Sequence, residues 1–186
     1  ILPGTDLVMS VGGDGTFLSA SQCVGKSGIP ILGVNLGRLG FLSEYSPEEA
    51  GEALLSGGWY LEDRELLDTK VSGDVPDNGQ RFWPYTLNEV SVHRSGAALL
   101  GIDVTIDGHP LPTYWADGLL VATSSGSTAY SLSVGGPICA PEAKVLIIAP
   151  IAPHNLNARP LVVPDTTRVT VSMRSRDDGV MLSMDN

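Results

Sequence analysis

The stretch Val11-Gly12-Gly13-Asp14-Gly15-Thr16 constrains this chain more than any other. Ahead of it runs Leu7-Val8-Met9-Ser10-Val11, an apolar segment of strand length. Behind it Phe17, Leu18, Ala20, Ser21 and Val24 recur at helical spacing. The glycines therefore sit in a loop between a strand and a helix. They let the backbone take positive φ and let a ligand approach the N–H groups closely. The helix N-terminus adds unpaired donors and a partial positive charge, which together make a phosphate site. Asp14 does not belong in a plain phosphate site, because a carboxylate repels phosphate unless it handles a proton or a metal-bound water. Two readings stay open on these residues alone: a catalytic loop, and a tight turn in which Asp14 bonds its own backbone.

A second apolar strand, Gly28 to Val34, follows the helix, so about thirty residues form a βαβ unit with parallel strands. Such sheets bind ligands at the loops after their carboxyl ends. The segment Asn35-Leu36-Gly37-Arg38-Leu39-Gly40-Phe41-Leu42 is therefore expected beside Asp14, which keeps Phe41 a candidate although Phe is more often core. Ser46-Pro47-Glu48-Glu49 is a capping-box helix start, and Gly57-Gly58 end that helix.

From about Tyr60 the texture turns to alternation. Leu67, Thr69 and Val71 face one way, a polar loop spans Gly73 to Gln80, and Tyr85 to Arg94 reads as one strand with Asn88 and Glu89 on opposite faces. Ile102, Val104 and Ile106 make a further strand, Asp107-Gly108 signals a hairpin, and Val169, Val171 and Met173 alternate again. The expected fold is α/β plus all-β: an N-terminal βαβ nucleotide-fold domain over 1–65, then a β-rich, sandwich-like domain over 66–186. Both ends are read as cut.

A net charge of −10 argues against nonspecific binding to nucleic acid or an anionic membrane. A nucleotide bound here would need its phosphates held by backbone N–H groups, a divalent cation and few side chains. Cys23 and Cys139 have no metal-ligand spacing and are expected to be buried and reduced, which suits the cytoplasm. No apolar run reaches membrane-spanning length and no signal peptide opens the chain.

The other conspicuous stretch is Ala116 to Ser133, in which a strand runs into the loop Thr123-Ser124-Ser125-Gly126-Ser127-Thr128-Ala129-Tyr130. Small side chains expose backbone donors and acceptors, as recognition of an adenine edge or a ribose requires. Taken alone, a Ser/Thr-rich turn with helix capping explains it better.

Taken together, these segments resemble the NAD kinases. That family carries a GGDGT loop, an Asn-Glu or Asn-Asp pair, and a DG…TGSTAYSLSxGGP stretch. Here they stand as Gly12 to Thr16, Asn88-Glu89, and Asp117-Gly118 through Ser125-Gly126-Ser127-Thr128-Ala129-Tyr130 to Gly135-Gly136-Pro137. Gly40-Phe41-Leu42 and Pro150 to His154 with Arg159-Pro160-Leu161 are also similar to family segments, so the resemblance runs in order along essentially the whole chain. It implies phosphorylation of the 2′-hydroxyl of NAD's adenosine ribose, with ATP or polyphosphate as donor and Mg²⁺ or Mn²⁺ as the cation.

The resemblance also implies site roles. Asp14 would be the general base in a loop formed with Gly12, Gly13, Gly15 and Thr16. Asn88 and Glu89 would hold the ribose and nicotinamide side, and Thr128, Ala129 and Tyr130 would line the dinucleotide pocket. Asp117 would lie near the nicotinamide end, with Ser125 and Ser133 nearby. A homodimer or homotetramer is implied as well. Ser124 replaces the usual Pro, Ser125 the frequent Thr, and Asn186 the usual Gly. Lipid kinases share the GGDGT loop but place a GTGND-like segment where this chain has Asn35 to Gly40. A dinucleotide sensor without turnover is the non-enzyme alternative.

Overall fold

The computed structural model describes residues 1–37, 40–73, 83–176 and 179–185. It divides into two compact units, one holding Ile1–Asp63 with a return through Tyr85, the other holding the segment from Arg64 and all of Thr86–Asn186. Arg38, Leu39, Asn186 and the expected polar loop beyond Gly73 lie outside the described residues.

In the first unit β1 (Val8–Val11) and β2 (Ile31–Val34) pair in parallel, Val8 opposite Ile31 and Val11 opposite Val34, and α1 (Asp14–Val24) connects them. This is the expected βαβ unit. Two strands and a helix that buries only Val24 give thin cover, so Met9 and Val11 stay about half exposed. For the same reason Cys23 is exposed, and in the second unit Cys139 is only half-buried at the edge of the core, which corrects the expectation that both thiols are buried. Helix α2 (Pro47–Ser56) starts on the expected capping box. Ser46 Oγ accepts the Glu49 N–H, the Glu49 carboxylate accepts the Ser46 N–H at 2.9 Å, and Gly57 ends the helix at φ +69°.

The second unit begins with the short β3 (Leu67–Asp68), where a longer alternating strand is expected, and continues after β4 (Tyr85–Thr86) into nine strands among the described residues. These are β5 (Glu89–Arg94), β6 (Leu100–Ile106), β7 (His109–Pro110), β8 (Tyr114–Ala116), β9 (Gly118–Thr123), β10 (Val145–Ile151), β11 (Leu161–Pro164), β12 (Val169–Arg174) and β13 (Val180–Met184). One sheet runs β11-β10-β9-β5-β13, entirely antiparallel. The other runs β12-β6-β7, with β8 also on β6. Asp107 and Gly108 turn the β6–β7 hairpin at φ +48° and +85°, the left-handed pair that a two-residue loop requires.

The core lies between these sheets and continues past one of them. Leu100, Ile102 and Val104 of β6 meet Val92, Leu119, Leu146 and Ile148. On the opposite face of β9 and β10, Leu120, Ala122, Ile147 and Ala149 pack under Tyr130, Val134 and Cys139. Both strands are thus buried on two faces, which explains why they read as unbroken apolar runs rather than alternation.

The strand expected from Tyr85 to Arg94 is broken at Leu87 and Asn88. The carboxylate of Asp185 takes the N–H groups of Leu87, Asn88 and Glu89, and three donors turned toward one side chain cannot also form a ladder.

Candidate active site

The carboxyl end of the β1–β2 pair carries two loops, and Asp14 ties them together. It is the first residue of α1 and follows the N-cap Gly13, which offers no side chain. Asp14 Oδ2 accepts the Phe41 N–H at 3.0 Å, while Oδ1 accepts those of Leu42 at 3.0 Å and Ser43 at 3.1 Å. The segment expected beside Asp14 is therefore bonded to it. A carboxylate has about four lone-pair sites, so Oδ1 is filled and Oδ2 keeps one. Gly40 permits this approach, because a Cβ there would run into the Asp14 carboxylate. Gly12 donates to Val34 O at 2.8 Å and extends the parallel pairing into the loop. Nothing stands where a side chain would be at Gly13 or Gly15, and Phe41 is 61% exposed rather than core.

In the second unit the end of β9 is locked to the break before β5. Thr123 donates its N–H to Asn88 O at 2.9 Å and its hydroxyl to Leu87 O at 2.6 Å, and then accepts the Gly126 N–H at 3.1 Å. Gly126 lies against the Asn88 carbonyl so closely that no side chain fits. Most hydroxyls of this loop are spent on the protein's own backbone. Ser124 bonds Pro141 O, Ser127 bonds both backbone groups of Cys139, and Thr128 bonds Ser125 O. Ser125 accepts from Arg64 at 3.3 Å. The 3-10 turn Ser125–Thr128 ends at Ala129, and α3 (Tyr130–Ser133) follows.

Asn88 and Glu89 are buried, and among the described residues Asn88 Oδ1 and Glu89 Oε2 have no hydrogen-bond partner. Buried polar atoms are nearly always paired, so these two orphans on adjacent residues, among seven such atoms in the described residues, keep Asn88 and Glu89 candidates for contact with another molecule. Burial first, and the neighbouring Asp185 charge second, push the Glu89 carboxyl up to about 7, against one opposing N–H bond from Tyr130. Burial also raises Asp185, opposed by its three N–H bonds.

The structure brings together Asn88, Glu89, Ser125, Thr128, Ala129 and Tyr130. Asp117 stands apart from them. Glu89 faces Ala122 across the sheet, and Asp117 is five residues back, about 17 Å along the strand direction. There it pairs with Arg94, Nε to Oδ1 at 2.8 Å. Ser133 is exposed on the last residue of α3. Three residues of these surroundings are not singled out by the sequence pattern: Asp185, Arg94 and His93, whose ring stacks on Tyr130 at 5.8 Å between centroids. The alternation of β5 puts His93 on the Glu89 face, which was the available signal for His93. Asp185 had none.

Two family models match the chain, the ATP-NAD kinase N-terminal domain over residues 3–56 and the ATP-NAD kinase C-terminal domain over residues 87–186. This chain belongs to the NAD kinase family. It is 45% identical over 184 residues to an NAD kinase of Bacteroides fragilis and 43% identical over 185 residues to one of Flavobacterium psychrophilum. In each comparison 97% of this chain is matched, and it spans 62% of the relative's length. Among solved structures it is similar to a yeast NADH kinase complexed with NADH, with a TM-score of 0.80 and 32% identity over 97% of this chain and 53% of the other. It is similar also to an Archaeoglobus fulgidus NAD kinase in complex with ATP, with a TM-score of 0.72 and 32% identity over 97% of this chain and 74% of the other.

Proposed function

We propose that this chain belongs to an enzyme that transfers the terminal phosphoryl group of ATP to the 2′-hydroxyl of NAD's adenosine ribose. The observation that carries this reading is the orphaned pair Asn88 Oδ1 and Glu89 Oε2, buried beside the Gly126 loop inside the segment that matches the family's C-terminal domain. Ribose hydroxyls are polar partners of the kind those atoms lack. The relatives support both substrates, since the yeast protein is complexed with NADH and the archaeal one with ATP.

Asp14 is the general base in this reading. The free lone pair of Oδ2 takes the proton of the 2′-hydroxyl as its oxygen bonds to phosphorus, and ADP leaves with the electrons of the broken P–O bond. Gly12, Gly13, Gly15 and Thr16 form the loop that receives the phosphates: the Gly12 and Thr16 N–H groups are spent on Val34 O and Gly13 O, and Gly13 and Gly15, with space where a side chain would stand, let phosphate come close. Phe41, Asn88, Glu89, Ser125, Thr128, Ala129 and Tyr130 contact the dinucleotide, with Asp117 and Ser133 farther out. Among the described residues no three His, Cys, Asp or Glu side chains form a metal site. A Mg²⁺ or Mn²⁺ ion would come with the phosphates of ATP and would supply charge neutralisation there. The enzyme acts in the cytoplasm as a homodimer or homotetramer. Among the described residues no helix is long and apolar enough to cross a membrane.

The three N–H bonds to Asp14 bear on the sensor alternative. They give the carboxylate a structural task, so its presence alone does not separate enzyme from binder. An assay for NADP from NAD, ATP and Mg²⁺ with the full-length protein does. Turnover that stops in excess EDTA and is restored by Mg²⁺ is expected, and polyphosphate in place of ATP tests the donor. A protein that binds NAD yet forms no NADP with either donor is the sensor.

A further inference from the structure

The end of β13 makes an unusual contact for a residue 97 positions from its partner. Asp185 holds left-handed backbone at φ +54°, and its carboxylate accepts the N–H of Leu87 at 2.6 Å, of Asn88 at 2.6 Å and of Glu89 at 3.3 Å. Its own N–H donates to Glu89 O at 3.0 Å, which continues the β5–β13 pairing at Val90–Met184. The Asn88–Glu89 corner is thus wrapped around one carboxylate. We propose that Asp185 is a positioning residue of the dinucleotide site, folding the corner that presents Asn88 and Glu89 and keeping Glu89 a hydrogen-bond donor toward its ligand. This rests on the reading that Asn88 and Glu89 bind NAD.

The assignment of the proton follows from hydrogen bonding. Two nearby carboxyl groups in a buried place do not both ionise readily. Asp185 accepts three backbone N–H bonds, which favour its charged form, whereas Glu89 has one, from Tyr130. Glu89 is therefore the member that keeps its proton, with its carboxyl raised to about 7. The other groups packed around it do not change this. Ala122 opposite on β9 carries no charge, Tyr130 contributes its N–H, and on β5 itself Ser91 and His93 bond each other at 3.0 Å, Nε2 to Oγ. Among the described residues no Lys or Arg is bonded or paired to Glu89. A neutral acid can donate to a ribose oxygen and accept from a ribose hydroxyl, whereas a carboxylate can only accept. NAD affinity should therefore fall as pH rises through 7.

The test is NAD binding by the full-length protein across pH 6 to 8, by calorimetry without ATP. Wild type is expected to lose about tenfold in affinity over that range, since the acid fraction of a group titrating near 7 falls about tenfold. Asp185→Asn removes the charge and keeps an acceptor, so its midpoint should move to lower pH. Asp185→Ala should weaken binding at every pH, and partial recovery by Asn would separate charge from shape. Glu89→Gln reads the same device from the other end if the Asp185 variants fail to fold: its affinity should vary less than twofold across the range. A wild type that binds NAD while Asp185→Asn gives a superimposable pH profile overturns this proposal alone, as does a Glu89→Gln profile as steep as wild type. A wild type that binds no NAD at any pH overturns it together with the reading beneath it.

Discussion

In the first unit a pair of four-residue parallel strands leaves Met9 and Val11 about half exposed, whereas β9 and β10 of the second bury Leu120, Ile147 and Ile148 completely. Each unit nevertheless fixes its candidate site in the same manner, with one carboxylate holding three consecutive backbone N–H groups: Asp14 those of residues 41–43, Asp185 those of 87–89. The difference lies in what surrounds the clamp. Asp14 sits beside the exposed Phe41 with a lone pair to spare, which leaves it free to accept a proton in the proposed reading. Asp185 sits where burial and a second carboxyl group keep charge scarce, as suits a site that recognises rather than reacts.

The largest effect that would sharpen this contrast is at Asp14. Asp14→Asn should lower kcat by about 10²–10⁴-fold with little change in NAD affinity, because the base matters chiefly in the transition state. The amide NH₂ also meets a backbone N–H in place of an oxygen, so some loss of thermal stability should accompany it. Near wild-type turnover would reduce Asp14 to a clamp. Packing comes next. Ile147→Ala should destabilise by about 2–5 kcal/mol in urea unfolding, and Met9→Ala by under about 1 kcal/mol. Equal losses would mean that the first unit is as well packed as the second.

Glu89 supplies a pH signature. Its carboxyl binds a proton in the native state up to about pH 7, while an ordinary Glu releases it near 4.5, so the native state holds more protons between those values. Stability should therefore fall as pH rises across that window and level off above it, by on the order of 3 kcal/mol at most. Glu89→Gln should flatten the slope, and an unaltered slope in that variant would place the titration elsewhere. Asn88→Ala should weaken NAD binding by roughly 1–3 kcal/mol, since it removes a buried partner; calorimetry showing no change would take Asn88 out of the site. The smallest effect is at Ser46. Ser46→Ala breaks the capping box of α2 and should cost about 1 kcal/mol of stability without altering kcat.

What the sequence showed and what it hid divide along range. The capping box at Ser46, the Asp107-Gly108 turn and the strand-to-helix junction at Asp14 each depend on residues within a few positions, and each was legible. The neighbourhood of Asp14 and Phe41 was also legible, because parallel strands place their following loops side by side. The break at Leu87–Asn88 was not. Its cause is Asp185, whose side chain reaches across 97 positions, and no local pattern announces it. The double burial of β9 and β10 was half visible: an apolar run shows that a strand is covered, but not what covers it. Arg94 beside Asp117 belongs with the hidden part, 23 positions away at the junction of β8 and β9.

The lock between Thr123, Asn88 and Gly126 has a kinetic consequence. Residues 124–129 cannot swing outward without breaking the Gly126 bond to Thr123 Oγ and those of Ser124 and Ser127 to Pro141 and Cys139, and Gly126 lies tight against the Asn88 carbonyl. A ligand seated on Asn88 and Glu89 therefore meets a surface already in its final shape, with little ordering left to do. Stopped-flow association with the Asn88–Glu89 corner should be a single exponential whose rate rises linearly with ligand concentration. A rate that saturates would reveal an opening step and show that the lock gives way before binding.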